Sequence, residues 1–325
     1  MRQGLISKAA TRILCFSRIT GIFNREEARV TSIDANQKEA DIVQLHDGRE
    51  LCFSSYGANN GKPVLYQHGF PASRLEAEIV AAAAGRVGVR LIAVDRPGHG
   101  GSSYDPRASI LSWADDMQVL IRTLNLQAPA VLAVSGGCPY ALAMVFRLGE
   151  SLGPVGIIGG LGPLCASGLL ADMHRPARML FGLCQRAPGL ANQLLSRLVG
   201  PLMARNPELA LRMVASNGCE ADREVLACPE VRSVLLAALA EAFRSGASGP
   251  ARGAILLAGS WGFPLSAVQK RVKLWYATED ATVPLPHGTY LQQQLPVAVL
   301  ETFAEEGHFS LPIRHAERLL TDLVS

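Results

Sequence analysis

The chain has 325 residues, a formal net charge of +3, 49% hydrophobic residues and only 18% charged ones. Such a composition buries a sizeable core, which excludes a disordered chain, and the near-neutral balance lacks the clustered basic face that a nucleic-acid binder needs. The length suits two domains, or one large α/β core carrying an insertion.

Residues 1–39 read as a basic N-terminal extension. The first 25 carry Arg2, Lys8, Arg12, Arg18 and Arg25 and no acidic residue. Charges spaced this closely leave no apolar stretch long enough for a secretory leader, so none is expected. The expected form is a docked or frayed helical extension, with organelle targeting or membrane-surface association as the competing reading. Without residues 1–25, 26 of the 31 Lys+Arg face 28 Asp+Glu, so the body is at −2 and the positive charge belongs to the extension.

From residue 40 onward, short apolar runs bounded by turn residues predict strands at 41–45, 51–56, 63–68, 90–95, 130–135, 155–159, 273–278 and 297–303. Runs of this kind suit a parallel sheet buried on both faces. His46-Asp47-Gly48-Arg49 makes the first two strands a hairpin. Helical periodicity marks 74–85, 112–124, 140–148, 286–294 and 315–324. The expected architecture is a mostly parallel eight-stranded sheet flanked by helices, its core formed by 40–161 and 270–325. Residues 162–269 break the rhythm. They show helical periodicity punctuated by prolines and a flexible Ser245–Pro250 stretch, with one doubtful strand at 254–257, and read as a helical cap inserted between two strands. Two uncharged windows, 123–146 and 151–171, are long enough to span a bilayer but carry too many Gly and Pro residues for a lipid-facing helix. No integral membrane span is expected. Seven Cys without C-x-x-C spacing fit neither a disulfide framework nor a zinc site, and read as reduced thiols of a cytoplasmic protein.

The chemistry gathers where strands end. Val131-Leu132-Ala133-Val134-Ser135-Gly136-Gly137 closes the fifth strand and leads at once into a helix. A Ser on such a sharp turn, with small residues two before and two after, has the nucleophile-elbow pattern, although a Gly-rich turn whose Ser caps the helix would look similar. A hydroxyl nucleophile needs a base, and His308 in Glu306-Gly307-His308-Phe309 follows the last strand on the same sheet edge. The base needs a carboxylate. Glu279 and Asp280 both end the seventh strand; Asp280 is preferred by its position before Ala281-Thr282-Val283-Pro284. Donors for a developing oxyanion would be the amides of Gly136 and of Phe70, the latter in His68-Gly69-Phe70-Pro71. Phe70, Trp261 and Phe263 are candidate substrate-binding residues, and Met173, Met179, Phe181, Met203 and Met213 make the insertion apolar. Cys138 lacks a base motif and reads as a small core residue.

These segments, with Asp95-Arg96-Pro97-Gly98-His99-Gly100-Gly101-Ser102, together resemble the α/β-hydrolase superfamily and its lid-bearing serine hydrolases over about residues 40–325. The resemblance implies a Ser135–His308–Asp280 triad, an oxyanion hole from the Phe70 and Gly136 amides, a helical cap at about 162–269, and a purely structural Arg96–Ser102 loop. It implies a hydrolase that cleaves an apolar carboxylic ester, thioester or lactone without a metal or organic cofactor, its partner a small-molecule substrate and not nucleic acid. Ala133 and Ala277 depart from the family pattern, where Gly is common. Epoxide hydrolases and haloalkane dehalogenases of the superfamily need a carboxylate at the elbow, where this chain has Ser135. A lyase or cofactor-free oxygenase on the same triad, or a non-catalytic ligand-binding or scaffold protein, stays open as the alternative.

Overall fold

The computed structural model describes residues 40–166 and 168–325, so the N-terminal extension lies outside the described residues. Strands β1 (Asp41–Gln44), β2 (Glu50–Gly57), β3 (Lys62–Gln67), β4 (Val89–Val94), β5 (Ala130–Val134), β6 (Val155–Ile158), β7 (Val272–Ala277) and β8 (Ala298–Phe303) form one eight-stranded sheet in the order β1-β2-β4-β3-β5-β6-β7-β8. The β1–β2 hairpin and the β2–β4 pair are antiparallel and every other pair is parallel. All eight expected strands are present, shifted by a residue or so at their ends.

The sheet is covered on both faces, and β5 shows how. Val131 and Ala133 belong to one core cluster, whereas Ala130, Leu132 and Val134 belong to the other, following the alternation of a pleated strand. A 3-10 turn at Arg74–Val80 runs into α1 (Ala81–Arg86), which packs on one face. Helices α2 (Ser112–Thr123) and α3 (Cys138–Leu148) cover the opposite face through Trp113, Met117, Leu142 and Val145.

Between β6 and β7 the chain is helical among the described residues. It forms α4 (Leu169–Asp172), α5 (Arg175–Arg186), α6 (Pro188–Leu194), a π-helical turn at Leu195–Val199, α7 (Gly200–Arg205), α8 (Pro207–Ala215), α9 (Glu220–Leu226), α10 (Pro229–Ala242) and α11 (Ser248–Ala258). The doubtful strand at 254–257 is wrong. Those residues lie inside α11, because Ala251, Ala254, Leu257 and Ala258 form its buried side. Nor is Ser245–Pro250 a loose linker: Ser245 Oγ donates to the Gly100 carbonyl at 2.5 Å, and α11 begins at Ser248. Helices α12 (Pro286–Gln294), α13 (Ser310–Arg314) and α14 (Ala316–Val324) complete the chain, with α14 sharing the core cluster of α1. No helix of the described residues is long and apolar enough to cross a membrane.

Strand order reverses at β3. From β3 the chain moves to β4 on one side and then returns to β5 on the other. Connections leaving adjacent strands in opposite directions open a crevice at their carboxyl ends, the usual ligand position in an open α/β sheet. The segments after β3 and β5 meet there.

Candidate active site

Strand β5 stops at Val134 because Ser135 adopts φ +52°, a left-handed conformation that costs a non-glycine residue about 1–2 kcal/mol. The Ser135 carbonyl is held by the Leu161 amide at 3.0 Å. The turn is tight enough that a Cβ added at Gly137 would lie 2.3 Å from the Gln67 carbonyl oxygen. At the other small position, Ala133 is fully buried and pairs with Gln67, so its methyl fits where the family often has Gly. Ser135 is 8% exposed, at the floor of a cavity that Phe70, Glu76 and His308 also line.

Parallel pairing of β7 and β8 brings the next two groups together. Beyond the strands, the Thr278 amide donates to Phe303 at 2.9 Å and the Glu279 amide to Glu306 at 3.0 Å, so the two carboxyl-end loops run side by side. His308 Nδ1 lies 2.7 Å from Asp280 Oδ2, while Asp280 Oδ1 accepts the amides of Thr282 and Val283, each at 2.8 Å. Asp280 is buried and Glu279 is exposed, so the carboxylate that meets the imidazole is Asp280. Burial opposes the imidazolium of His308. The charge and hydrogen bond of Asp280 outweigh it, aided by the charges of Asp222 and Glu76, and hold His308 above its ordinary pKa.

The Phe70 and Gly136 backbones are neighbours at the cavity, for a Cβ added at Gly136 would lie 3.3 Å from the Phe70 nitrogen. The loop carrying Phe70 is pinned from both sides. Arg96 donates to the His68 carbonyl at 2.6 Å and to the Gly69 carbonyl at 2.5 Å, with its guanidinium 4.8 Å from the Tyr140 ring centre. From the other side, Glu76 Oε2 accepts the Gly69 amide at 2.7 Å and the Tyr66 hydroxyl at 3.1 Å. Burial pushes the Glu76 carboxyl up and these two donors pull against it. Sequence reasoning missed Glu76 because Ser73-x-x-Glu76 has the spacing of a helix capping box. Its carboxylate instead turns toward the site. Asp222, on α9, was missed as well; it accepts the amides of His308, Phe309 and Ser310 at 2.9–3.0 Å.

Other expectations resolve differently. Trp261 and Phe263 do not line the cavity. Phe263 stacks on Phe146 of α3 at 5.2 Å, and the buried Trp261 lies 6.3 Å from Phe263. The apolar wall of the cavity comes instead from Leu211 and Val214 of α8 and Leu235 and Leu239 of α10, facing Phe70. Met179 and Met213 are exposed. In the Asp95–Ser102 loop, Asp95 accepts the Arg74 amide at 2.7 Å and its guanidinium at 2.6 Å, and Arg74 also pairs with Glu241 of α10. His68, His99 and His287 are buried, and burial drives all three pKa values down, to about 3 for His99 and about 4 for His287. Cys138 is fully buried, and burial pushes its thiol up. Among the described residues no group of His, Cys, Asp and Glu is arranged to hold a metal ion.

A hydroxyl on a strained turn, a carboxylate-held imidazole and two adjacent amides around one cavity are the parts that acyl transfer requires. Comparison with known proteins agrees with the fold beneath them. The alpha/beta hydrolase family model matches residues 64–322, and the chain belongs to that family. Solved structures with the same fold include a thermophilic esterase from Thermogutta terrifontis (20% identity, TM-score 0.62, covering 88% of this chain and 97% of that one). An esterase from Exiguobacterium antarcticum is similar at 18% identity and TM-score 0.64, covering 88% and 98%. A bromoperoxidase from Bacillus anthracis is similar at 20% identity and TM-score 0.63, also covering 88% and 98%. At these identities the likeness is one of fold. A comparison with curated proteins found no match.

Proposed function

We propose that this chain is a serine hydrolase that cleaves a small, uncharged carboxylic ester, thioester or lactone through an acyl-enzyme. The observation that carries the reading is the convergence of Ser135, at its left-handed turn, with the 2.7 Å His308–Asp280 pair on a single apolar cavity. In this mechanism His308 takes the Ser135 proton as the hydroxyl attacks the acyl carbonyl, and the amides of Phe70 and Gly136 receive the oxyanion. His308 then protonates the leaving group. Water repeats the sequence on the acyl-enzyme and regenerates Ser135. Asp280 holds the imidazole in the tautomer whose other nitrogen faces Ser135 and stabilises the imidazolium.

The helices between β6 and β7 act in this reading as a cap, supplying the apolar wall that excludes water and selects the acyl group. The cavity is lined mainly by apolar side chains, among them Leu211, Val214, Leu235 and Leu239, which favours an uncharged acyl group.

A fluorophosphonate probe tests the assignment against a non-catalytic binding protein on the same fold. Labelling confined to Ser135, and lost in Ser135→Ala, is the expected result. An unlabelled native protein overturns the reading, and a labelled protein that turns over no ester would transfer it to lyase or other non-hydrolytic chemistry.

A further inference from the structure

Helix α9 reaches the loop that bears His308. It is the only described element between β6 and β7 whose side chain hydrogen-bonds to that loop's backbone. Asp222 is 1% exposed, lies 86 residues from His308 in sequence, and uses both carboxylate oxygens: Oδ2 accepts the His308 amide at 3.0 Å, and Oδ1 accepts those of Phe309 and Ser310, each at 2.9 Å. Three consecutive amides at the turn into α13 thus converge on one buried carboxylate, an arrangement of charge-assisted bonds that fixes the backbone position of His308.

Gly307 makes room for it. A Cβ there would lie 2.4–2.6 Å from the Asp222 carboxylate, so any side chain at 307 would expel it. A second tie flanks the first, since Arg314 of α13 pairs with Glu224 of α9 at 2.5 Å.

Resting on the Ser135–His308–Asp280 reading, we propose that Asp222 is a positioning residue for His308. Asp280 orients the imidazole ring, and Asp222 sets the height of its backbone over Ser135. The segment between β6 and β7 is therefore part of the catalytic apparatus as well as a cover for the cavity. Displacing α9 would release three amides of the His308 loop at once. The charged or titratable groups facing His308 are Asp280 after β7, Asp222 on α9, Glu76 on the 3-10 turn and His174 before α5. Removing the Asp222 charge takes away one of the anions that favour the imidazolium, so the acid limb of the pH profile moves to lower pH.

The test uses full-length protein, p-nitrophenyl acetate as substrate, and a fluorophosphonate titration to count active sites. Asp222→Ala lowers kcat per active site by about 10–100-fold, the scale set by misplacing a catalytic group by an ångström, with KM changed by less than about twofold. Its acid limb moves down, and amide hydrogen exchange of residues 308–310 speeds up. Asp222→Asn keeps one carbonyl acceptor and should fall between it and the native protein in rate, which keeps the proposal testable if the alanine variant does not fold. Native kcat per active site and an unshifted acid limb in both variants would overturn the proposal while leaving the triad reading intact. An unlabelled native protein would overturn the triad reading and, with it, the catalytic role of Asp222.

Discussion

Ser135 occupies a backbone conformation that L-residues avoid, and the surrounding contacts hold it there: the Leu161 amide on its carbonyl and the close approach of Gly137 to Gln67. His308, its base in the proposed mechanism, is held above its ordinary pKa of 6.5, and only the neutral imidazole accepts a proton from serine. On the proposed mechanism protonation would stop turnover as pH falls, and kcat/KM should titrate with an acid limb above 6.5. Asp280→Asn removes the main anionic partner and favours the wrong tautomer. It should cut kcat by about 10⁴-fold and move the limb to lower pH, as read from kcat/KM profiles of the two proteins. A native acid limb below 6.5 would contradict the electrostatic account of His308. As candidates, Ser135, His308 and Asp280 stood out in the sequence because each follows a strand in a short local motif. Glu76 and Asp222 were not: one mimics a helix cap, and the other acts on a loop 86 residues away.

At the scale of elements, apolar runs identified all eight strands, and the central ones, β3 to β7, are buried along most of their length and have few polar positions. The helical segment between β6 and β7 was recognisable as an insertion, but not which of its faces meets the sheet. That docking depends on pairs distant in sequence. Arg74 is the main one, 5% exposed and shared between Asp95, which is fully buried, and Glu241 of α10. Arg74→Met would leave Asp95 buried without its cation and should destabilise the fold by about 3–5 kcal/mol. Arg86→Met, which breaks the exposed pair with Glu317, should cost no more than about 1 kcal/mol. Urea unfolding of the two variants measures the contrast, and equal midpoints would refute the anchoring role of Arg74. The same distance from sequence explains Trp261 and Phe263: two aromatics ahead of β7 resemble a pocket wall, yet they pack on each other and Phe263 stacks on Phe146 of α3, which does not line the cavity.

For the molecule as a whole, the carboxyl ends of the parallel strands gather Phe70, Ser135, Asp280 and His308 at one edge of the sheet, and residues of α8 and α10 help line an apolar cavity beside Phe70, Ser135 and His308. Part of its apolar wall is a whole-molecule property, with Leu211, Val214, Leu235 and Leu239 contributed by two helices of the segment between β6 and β7. It should make acetyl and butyryl esters better substrates than octanoyl ones by at least about tenfold in kcat/KM, the scale of a few kcal/mol for groups a pocket cannot hold. A flat profile across the chain-length series would mean that the helices do not define the acyl pocket. The most direct measurement for the central claim is turnover of p-nitrophenyl acetate by purified Ser135→Ala beside the native protein, with folding checked by circular dichroism. Loss of at least about 10⁴-fold in kcat/KM with the fold intact is the predicted result. A folded variant that retains most of the native rate would contradict it.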